Sequence, residues 1–331
     1  MITWRPKVAI SMGDPNGVGP EVALRCVANP DLQAIADMLL VGSGSVFGVH
    51  ADSLDMDGMP FDVLAVPAAG EEHVVGFGQI TASGGRLSMA AVDAAIELCL
   101  SGQAHAMVTA PISKEAIAMA GYDVPGHTEF LAARCGVEDH LMMMVAGPLR
   151  VGVVTGHIPV SRVAESITRK AVAARLNRLA AAIREDFGVE QPRVAVLGLN
   201  PHAGDGGVIG HEEEDVIRPA MKQLVHGLAF GPFPADGFFA EKAYLKYDGV
   251  LAMYHDQGLI PFKTLAFDTG VNFTAGLPIV RTSPDHGTAY DIAGQAKARP
   301  DSMENAIRVA VQVALARRVR ATGSPHIGST K

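Results

Sequence analysis

Cysteine, aromatic residues and long apolar runs are all scarce in this sequence. Only 3 of the 331 residues are cysteines, widely spaced and without a CxxC pair, which argues against a disulfide framework and a thiolate metal site. No uninterrupted apolar run approaches the ~18 residues of a membrane span. The first residues, MITWRPKVAISMGDP, lack the apolar core of a signal peptide. We therefore expect a cytoplasmic protein that does not bind membranes.

Positive charge is also in short supply. The chain has 27 Lys and Arg against 35 Asp and Glu, a net charge of −8 at pH 7. Such a chain has no general attraction for nucleic acid or for an anionic membrane. An anionic substrate must therefore be bound in a local basic pocket that works against the charge of the whole protein.

Short apolar runs that end in Gly, Pro or Asp loops recur along the chain, of which 48% is apolar. Runs of this length predict strands buried on both faces. Stretches with helical spacing lie between them at 86–102, 161–188 and 302–320, the second with Ser161 as its predicted N-cap. The pattern predicts an α/β protein of about two domains. The predicted strands are VAISM (8–12), MLLVG (38–42), AMVTA (106–110), LMMMVAG (141–147), VGVVTG (151–156), VAVLGL (194–199) and GVLAMY (249–254).

Histidines follow three of these predicted strands. His157 follows VGVVTG, His202 follows VAVLGLNP and His255 follows VLAMY. Ligands of open α/β sheets bind beyond the carboxyl ends of the strands, so crossover connections could bring these imidazoles to one edge. Three neutral imidazoles with an open position suit a catalytic Zn²⁺ or a similar divalent ion. The alternative is that each histidine separately caps a strand or bonds a loop carbonyl, because the sequence has no short-range ligand pair such as HExxH.

A glycine-rich loop, GDPNGVGPE (13–21), lies between the first predicted strand and the helical run EVALRCVA. Its N–H groups and the helix N-terminus could hold an anion. Alternatively, Gly17 and Gly19 serve a tight turn. The dinucleotide fingerprint GxGxxG is not matched, since the nearest string, GSGSVFG (42–48), has the wrong spacing. A nicotinamide cofactor would have to be bound in another way.

Donors for an anion appear in two further segments. PGHTEFLA places His127 and Thr128 at a predicted helix start. Helix capping explains Thr128 but not His127. Lys263, Asn272 and Arg281 add donors in a loop-rich stretch. Such a set binds phosphate and carboxylate groups through charge-assisted hydrogen bonds.

Several segments, taken in order along the chain, carry a family resemblance. The chain resembles the 4-hydroxythreonine-4-phosphate dehydrogenase family of pyridoxal phosphate synthesis over nearly its full length. The resemblance rests on the segments MGDPNGVGPE, VTAPISK, GHTEF, TGHIP, LNPHAGDGG, VLAMYHDQGL and GLPIVRTSPDHGTAYDIAG.

The resemblance implies roles for individual residues. His157, His202 and His255 become ligands of a divalent metal, with zinc expected first and magnesium, manganese or cobalt as alternatives. The general base is left open between Asp236, Lys263 and a metal-bound water. The phosphorylated substrate is expected at His127, Thr128, Lys263, Asn272 and Arg281.

The resemblance also accounts for the missing glycine fingerprint. DHGTAYDIAG is similar to the loop of isopropylmalate and isocitrate dehydrogenases that holds the adenosine half of NAD or NADP. The cofactor residues implied in this loop are Asp285, His286, Gly287, Thr288, Ala289, Asp291 and Gly294.

The fold implied by the resemblance has two α/β/α lobes of the isopropylmalate and isocitrate dehydrogenase type, with a cleft between them. We expect one lobe over residues 1–123 and 265–331, with the cofactor loop. The other is expected over 124–264, with the metal ligands and the dimer interface. The family is homodimeric, and its active site draws metal ligands from one subunit and substrate contacts from the other.

The reaction implied is NAD(P)-dependent and metal-dependent oxidation of the secondary alcohol of 4-phosphohydroxy-L-threonine. Decarboxylation of the resulting β-keto acid then gives 3-amino-2-oxopropyl phosphate. The metal stabilises negative charge on oxygen, the cofactor accepts the hydride, and the protein orients both partners.

Two departures from the family pattern concern the substrate. Asn16 stands where the usual GDPAGIGPE has Ala, and Gly237 stands where the usual PADT has Thr. Both positions could border the substrate, so the same chemistry on 4-phospho-threonate, 4-phospho-erythronate or an aromatic dihydrodiol carboxylate stays open. A metal-dependent hydrolase or aldolase and a two-lobed solute-binding protein are the alternatives from other classes.

Overall fold

The chain divides into two α/β units. Unit 1 comprises residues 1–138 and 277–315, and unit 2 comprises residues 139–276 and 316–331. The computed structural model describes residues 4–56, 58, 61–66, 73–123 and 126–323. The two ends of the predicted first lobe, residues 1–3 and 324–331, and the predicted junction at Val124 lie outside the described residues.

Unit 1 is built on parallel strands in the order β3-β2-β1-β4-β11. The strands are β1 (Lys7–Ser11), β2 (Asp37–Gly42), β3 (Val63–Ala65), β4 (Ala106–Thr109) and β11 (Arg281–Pro284). The helices are α1 (Gly19–Val27), α2 (Pro30–Gln33), α3 (Gly44–Asp52), α4 (Ala82–Leu100), α5 (Lys114–Met119), α6 (His127–Arg134) and most of α12 (Asp301–Thr322). The predictions of β1, β2, β4, α4 and α12 are confirmed.

Unit 2 has the strand order β10-β5-β6-β9-β7-β8, in which β10, β5 and β6 pair antiparallel and the later pairs are parallel. The strands are β5 (Leu141–Ala146), β6 (Leu149–Thr155), β7 (Arg193–Leu197), β8 (Leu228–Phe233), β9 (Gly249–Tyr254) and β10 (Val271–Ala275). The helices are α7 (Val163–Ser166), α8 (Arg169–Asp186), α9 (Arg218–Met221), α10 (Ala235–Ala240) and α11 (His255–Ala266). The predictions of β5, β6, β7 and β9 are confirmed. β6 is buried throughout, as a strand covered on both faces requires.

The predicted helix over 161–188 is interrupted. Ser161 lies in a short 3₁₀ turn, Val160–Arg162, and the long helix α8 begins only at Arg169. The N-cap is Thr168, whose extended backbone ends the preceding turn and whose Oγ1 accepts a hydrogen bond from the N–H of Ala171 at 3.2 Å. The prediction of Ser161 as the cap is therefore wrong.

The chain changes unit further along the sequence than the junctions expected after residues 123 and 264. Helix α6 remains with unit 1, where Arg134 forms ion pairs with Asp93 and Glu97 of α4. Strand β10 belongs to unit 2, because it pairs with β5. Among the described helices, none has the length and apolar character needed to cross a membrane.

Candidate active site

The strand order of unit 2 places the three predicted metal ligands at one edge of the sheet. β6, β9 and β7 are neighbours and run parallel. His157 follows the end of β6, His255 directly follows β9, and His202 lies in the segment after β7. Because carboxyl ends of parallel strands meet at the same edge, the topology supports the expected convergence of these histidines.

Two of the three imidazoles lie close together. The ring centroids of His157 and His255 are 5.6 Å apart, with the planes inclined by 45°. Nδ1 of His255 lies 2.7 Å from Oδ1 of Asp256. A carboxylate at Nδ1 orients a metal-binding imidazole and leaves Nε2 to face the ion. The donor chemistry of this pair fits a divalent metal.

The third imidazole is held on an unusual stretch of backbone. His202, Ala203 and Asp205 have φ values of 55°, 51° and 44°, and the intervening Gly204 has 81°. A left-handed conformation costs a non-glycine residue about 1–2 kcal/mol. Across the described parts of the chain, no three His, Cys, Asp or Glu side chains are grouped closely enough to hold a metal ion. The three-histidine site therefore stays a prediction.

The predicted anion site in unit 1 centres on a buried guanidinium. Arg281, the first residue of β11, is 2% exposed and donates from Nε and Nη2 to Oγ1 of Thr109 at 3.1 and 2.7 Å. Burial lowers the pKa of Arg281 to about 10, and the nearby charge of Glu129 opposes this shift. The group is therefore still protonated at neutral pH.

His127 and Thr128 form the first turn of α6, as predicted, after the N-cap Gly126. Nε2 of His127 is enclosed and has no hydrogen-bond partner in the described part of the protein. Burial, and secondly the charge of Arg281, lower the pKa of His127 well below its usual value. The structure thus brings together a cation and a neutral imidazole, a combination suited to a small anionic group.

The other predicted substrate and catalytic residues belong to unit 2. Lys263 lies in the last turn of α11, and Asp236 is exposed in the first turn of α10. Asn272 lies on β10 with its Oδ1 enclosed and, among the described residues, unpartnered. A methyl group at Gly237 would have no heavy atom within 4 Å. The roles of Lys263, Asn272 and Asp236 stay predictions.

The predicted cofactor loop packs on the glycine-rich loop of unit 1. The carbonyl of Thr288 accepts a hydrogen bond from the N–H of Val18 at 2.9 Å, and a Cβ at Gly17 would lie only 2.7 Å from that oxygen. Tyr290 donates to Oδ2 of Asp14 at 2.8 Å. These contacts favour close backbone approach over anion binding as the reason for Gly17, since Val18 already uses its N–H group.

Asn16, one of the two positions that depart from the family pattern, is bonded to the segment before α4. It is fully buried. Its Nδ2 donates to the carbonyl of Gln79 at 2.8 Å, and its Oδ1 accepts from the N–H of Gly76 at 2.9 Å. Nε2 of His73 lies 3.1 Å from the same Oδ1. Asn16 thus anchors the segment that precedes α4.

The sequence did not predict three of these contacts. They are the contact of Thr109 with Arg281, that of Asn16 with the segment before α4, and that of Tyr290 with Asp14. All three lie within segments that carried the family resemblance, VTAPISK, MGDPNGVGPE and DHGTAYDIAG. Their place in these motifs was the only sign that they matter, and a motif does not show which residue each side chain hydrogen-bonds to. The partners are distant in sequence, since Arg281 lies 172 positions after Thr109.

Both units are α/β, and the buried guanidinium of unit 1, with His127 beside it, is suited to a small anionic group. Comparison with known proteins is more specific. The sequence profile of the family described as "Pyridoxal phosphate biosynthetic protein PdxA" matches residues 32–310. The chain belongs to this family.

Individual relatives cover nearly the whole chain. A 4-hydroxythreonine-4-phosphate dehydrogenase of Prosthecochloris aestuarii is 45% identical, over 93% of this chain and 97% of that protein. The crystal structure of the enzyme of that name from Klebsiella pneumoniae matches with a TM-score of 0.82 and 33% identity, over 93% of this chain and 99% of the other. A terephthalate 1,2-cis-dihydrodiol dehydrogenase from Burkholderia xenovorans matches with a TM-score of 0.67 and 29% identity, over 93% and 98%. These matches confirm the α/β fold class and the family prediction.

Proposed function

We propose that this protein oxidises the secondary alcohol of 4-phosphohydroxy-L-threonine with NAD⁺ or NADP⁺ and a divalent metal. Loss of CO₂ from the β-keto acid then gives 3-amino-2-oxopropyl phosphate. The names of the relatives support the substrate. The metal-dependent part is supported by the strand order of unit 2, in which β6, β9 and β7, the strands that precede His157, His255 and His202, are adjacent and parallel.

The three histidines are the residues proposed to hold the metal, with zinc as the first candidate. A divalent ion supplies Lewis-acid stabilisation of negative charge on oxygen. A nicotinamide supplies the hydride acceptor, and the loop from Asp285 to Gly294 is proposed to hold its adenosine half. The contacts of Thr288 and Tyr290 with the 13–19 loop fix this loop in place.

Arg281, His127 and Thr128 are proposed to bind the anionic groups of the substrate, together with Lys263 and Asn272. Arg281 contributes a charge that survives at any physiological pH, and its contacts with Thr109 fix the plane of the guanidinium. His127, kept neutral by its lowered pKa, contributes an N–H donor. Among this chain's own residues, Asp236 and Lys263 are the candidates for accepting the alcohol proton, with a metal-bound water as the alternative.

A homodimer with a shared active site is part of the same proposal. Exposed apolar side chains on and beside α11 support it, with Ile260 62% and Phe267 76% exposed. Large apolar groups left in water on one helix mark a surface that another protein covers. A cytoplasmic location completes the proposal, since NAD(P) is available there.

The decisive experiment offers the purified, metal-loaded protein NAD⁺ or NADP⁺ and a panel of substrates. The panel holds 4-phosphohydroxy-L-threonine, 4-phospho-threonate, 4-phospho-erythronate and an aromatic dihydrodiol carboxylate. We expect NADH or NADPH and CO₂ from the first compound. Faster turnover of another member would change the substrate, and product without reduced nicotinamide would favour a hydrolase or aldolase.

The metal assignment is tested by His202→Ala, with the exposed His226→Ala as its control. We expect the first variant to lose turnover and bound metal while its circular dichroism spectrum is retained, and the second to keep both. Normal turnover with metal retained in His202→Ala would refute the ligand assignment.

A further inference from the structure

A buried carboxylate lies behind the segment that carries His202. Glu213 is 1% exposed. Its Oε1 accepts hydrogen bonds from the backbone N–H groups of Leu199 and Asn200, each at 2.8 Å. Its Oε2 accepts a third from Nδ2 of Asn200 at 3.0 Å. All of these donors lie between the end of β7 and His202.

The same carboxylate also lies close to the backbone that follows His202. A Cβ at Gly204 would lie 2.6 Å from Oε2 of Glu213, and a Cβ at Gly198 would lie 3.1 Å from Oε1. The backbone therefore wraps closely around the carboxylate both before and after His202. At Gly204 such a Cβ would have to displace the carboxylate, and at Gly198 it would lie 2.9 Å from Cα of Ala203 and crowd the carboxylate.

The backbone of residues 202–206, which lies between and beside these contacts, has a conformation that must be held by its surroundings. Residues 202–206 all have positive φ, although three of them are not glycine. L-residues rarely populate this conformation, and a run of them persists only where the surroundings fix it. Glu213 itself begins a single π-helical turn, Glu213–Ile217, an irregularity that is frequent at functional sites.

We infer that Glu213 is a positioning residue, which holds the left-handed segment and thereby sets the direction of the His202 imidazole. The inference rests on the proposed metal function of His202. Glu213 is placed to act on the ligand through the backbone, as the outer groups that orient metal-bound histidines act through hydrogen bonds.

The test compares Glu213→Gln with Glu214→Gln, which removes the same charge one residue along. Glu214 is exposed and pairs with Arg218 on the neighbouring turn. Affinity for Zn²⁺ is measured by competition with a chromophoric chelator, and Co²⁺ loading is followed by its visible absorption. We expect Glu213→Gln to weaken metal binding by roughly 10–100-fold, the usual effect of losing such a support. Glu214→Gln should bind as the wild type does.

A second measurement needs no metal. Amide hydrogen exchange of the metal-free protein should show faster exchange at Leu199 and Asn200 in Glu213→Gln, with unchanged rates in β7. If that variant does not fold, Asn200→Ala removes the third hydrogen bond to Glu213, together with the one that Nδ2 donates to Oε2 of Glu212 at 2.7 Å. It should give the same two effects at smaller size, because the two backbone N–H donors to Glu213 remain. A purely local structural role would raise exchange without weakening metal binding.

The outcomes separate the two proposals. Unchanged metal affinity in Glu213→Gln, alongside weakened affinity in His202→Ala, would overturn the role of Glu213. Unchanged exchange at Leu199 and Asn200 would overturn it as well. Equal metal binding by the wild type and His202→Ala would instead refute the metal function, and the positioning role toward a metal would fall with it.

Discussion

Nη2 of Arg281 donates a hydrogen bond to Oγ1 of Thr109 at 2.7 Å, and Nε donates to the same oxygen at 3.1 Å. Thr109 ends β4 and Arg281 begins β11, its parallel neighbour. One hydroxyl therefore accepts from two nitrogens on one edge of a buried guanidinium. Strand pairing brings the two residues together, and the two hydrogen bonds orient the guanidinium of Arg281.

Thr109→Val tests this relationship, because it removes the hydroxyl while keeping the side-chain shape. A buried donor without its acceptor costs about 1–3 kcal/mol. We expect the free energy of unfolding in urea to fall by that amount and the KM for the phosphorylated substrate to rise. Thr322→Val, at an exposed position, is the control and should change neither. An unchanged KM would separate Thr109 from substrate binding.

Arg281→Ala tests the substrate pocket directly. The variant removes the buried cation, and losing one partner of a charged contact costs about 2–5 kcal/mol of binding. We expect a large increase in the substrate KM with nearly unchanged cofactor affinity, measured by steady-state kinetics and by titration with NAD⁺. A substrate KM equal to that of the wild type would remove Arg281 from the pocket.

Gly17→Ala tests the contact between the glycine-rich loop and the predicted cofactor loop. The new Cβ would lie 2.7 Å from the carbonyl oxygen of Thr288, so the backbone of one loop must move. We expect the Kd for the nicotinamide cofactor to rise by roughly tenfold, equivalent to about 1.4 kcal/mol.

Gly48→Ala is the matched control, since its Cβ would meet nothing within 4 Å on helix α3. It should leave cofactor binding unchanged and stabilise the protein by about 0.5–1 kcal/mol. Equal cofactor affinity in both variants would show that the loop contact has no part in cofactor binding.

His50 predicts how stability depends on pH. Its ring is fully buried, its Nε2 lies 2.9 Å from the carbonyl oxygen of Pro15, and burial lowers its pKa. The unfolded chain takes up a proton near pH 6.5 that the folded chain resists. Stability should therefore fall as the pH falls below about 6.5, by at most about 1.4 kcal/mol per pH unit for this residue.

Urea unfolding at a series of pH values measures this slope. His50→Gln should reduce it, because glutamine does not titrate, whereas the exposed His226→Gln should leave it unchanged. A slope in His50→Gln equal to that of the wild type would assign the pH dependence to other groups, such as His127.

Phe267→Ser tests the proposed dimer surface. Truncating a central aromatic contact costs an interface about 2 kcal/mol or more. We expect a weaker dimer in analytical ultracentrifugation, together with lower activity at low protein concentration if the active site is shared. Val74→Ser, at an equally exposed position of unit 1, is the control. A monomeric wild type would overturn the dimer proposal.

The sequence alone determined the strands that are buried on both faces, because continuous apolar runs such as VGVVTG and GVLAMY have few other uses in an α/β protein. It also placed His127 at the start of α6 and His157, His202 and His255 after their strands. These features depend on neighbours within a few residues. The polar strand β11, RTSP, carries no such signal and was not predicted.

Only the tertiary structure decided which of these residues meet. The order β6-β9-β7 makes three separate strand ends neighbours, and β4 beside β11 gives Arg281 its hydroxyl partner. The tertiary structure also places Asn16 in the interior, where it is hydrogen-bonded to Gly76 and Gln79. Hydrogen bonds between groups far apart in the chain form after strand pairing has set the distances, so no local pattern encodes them.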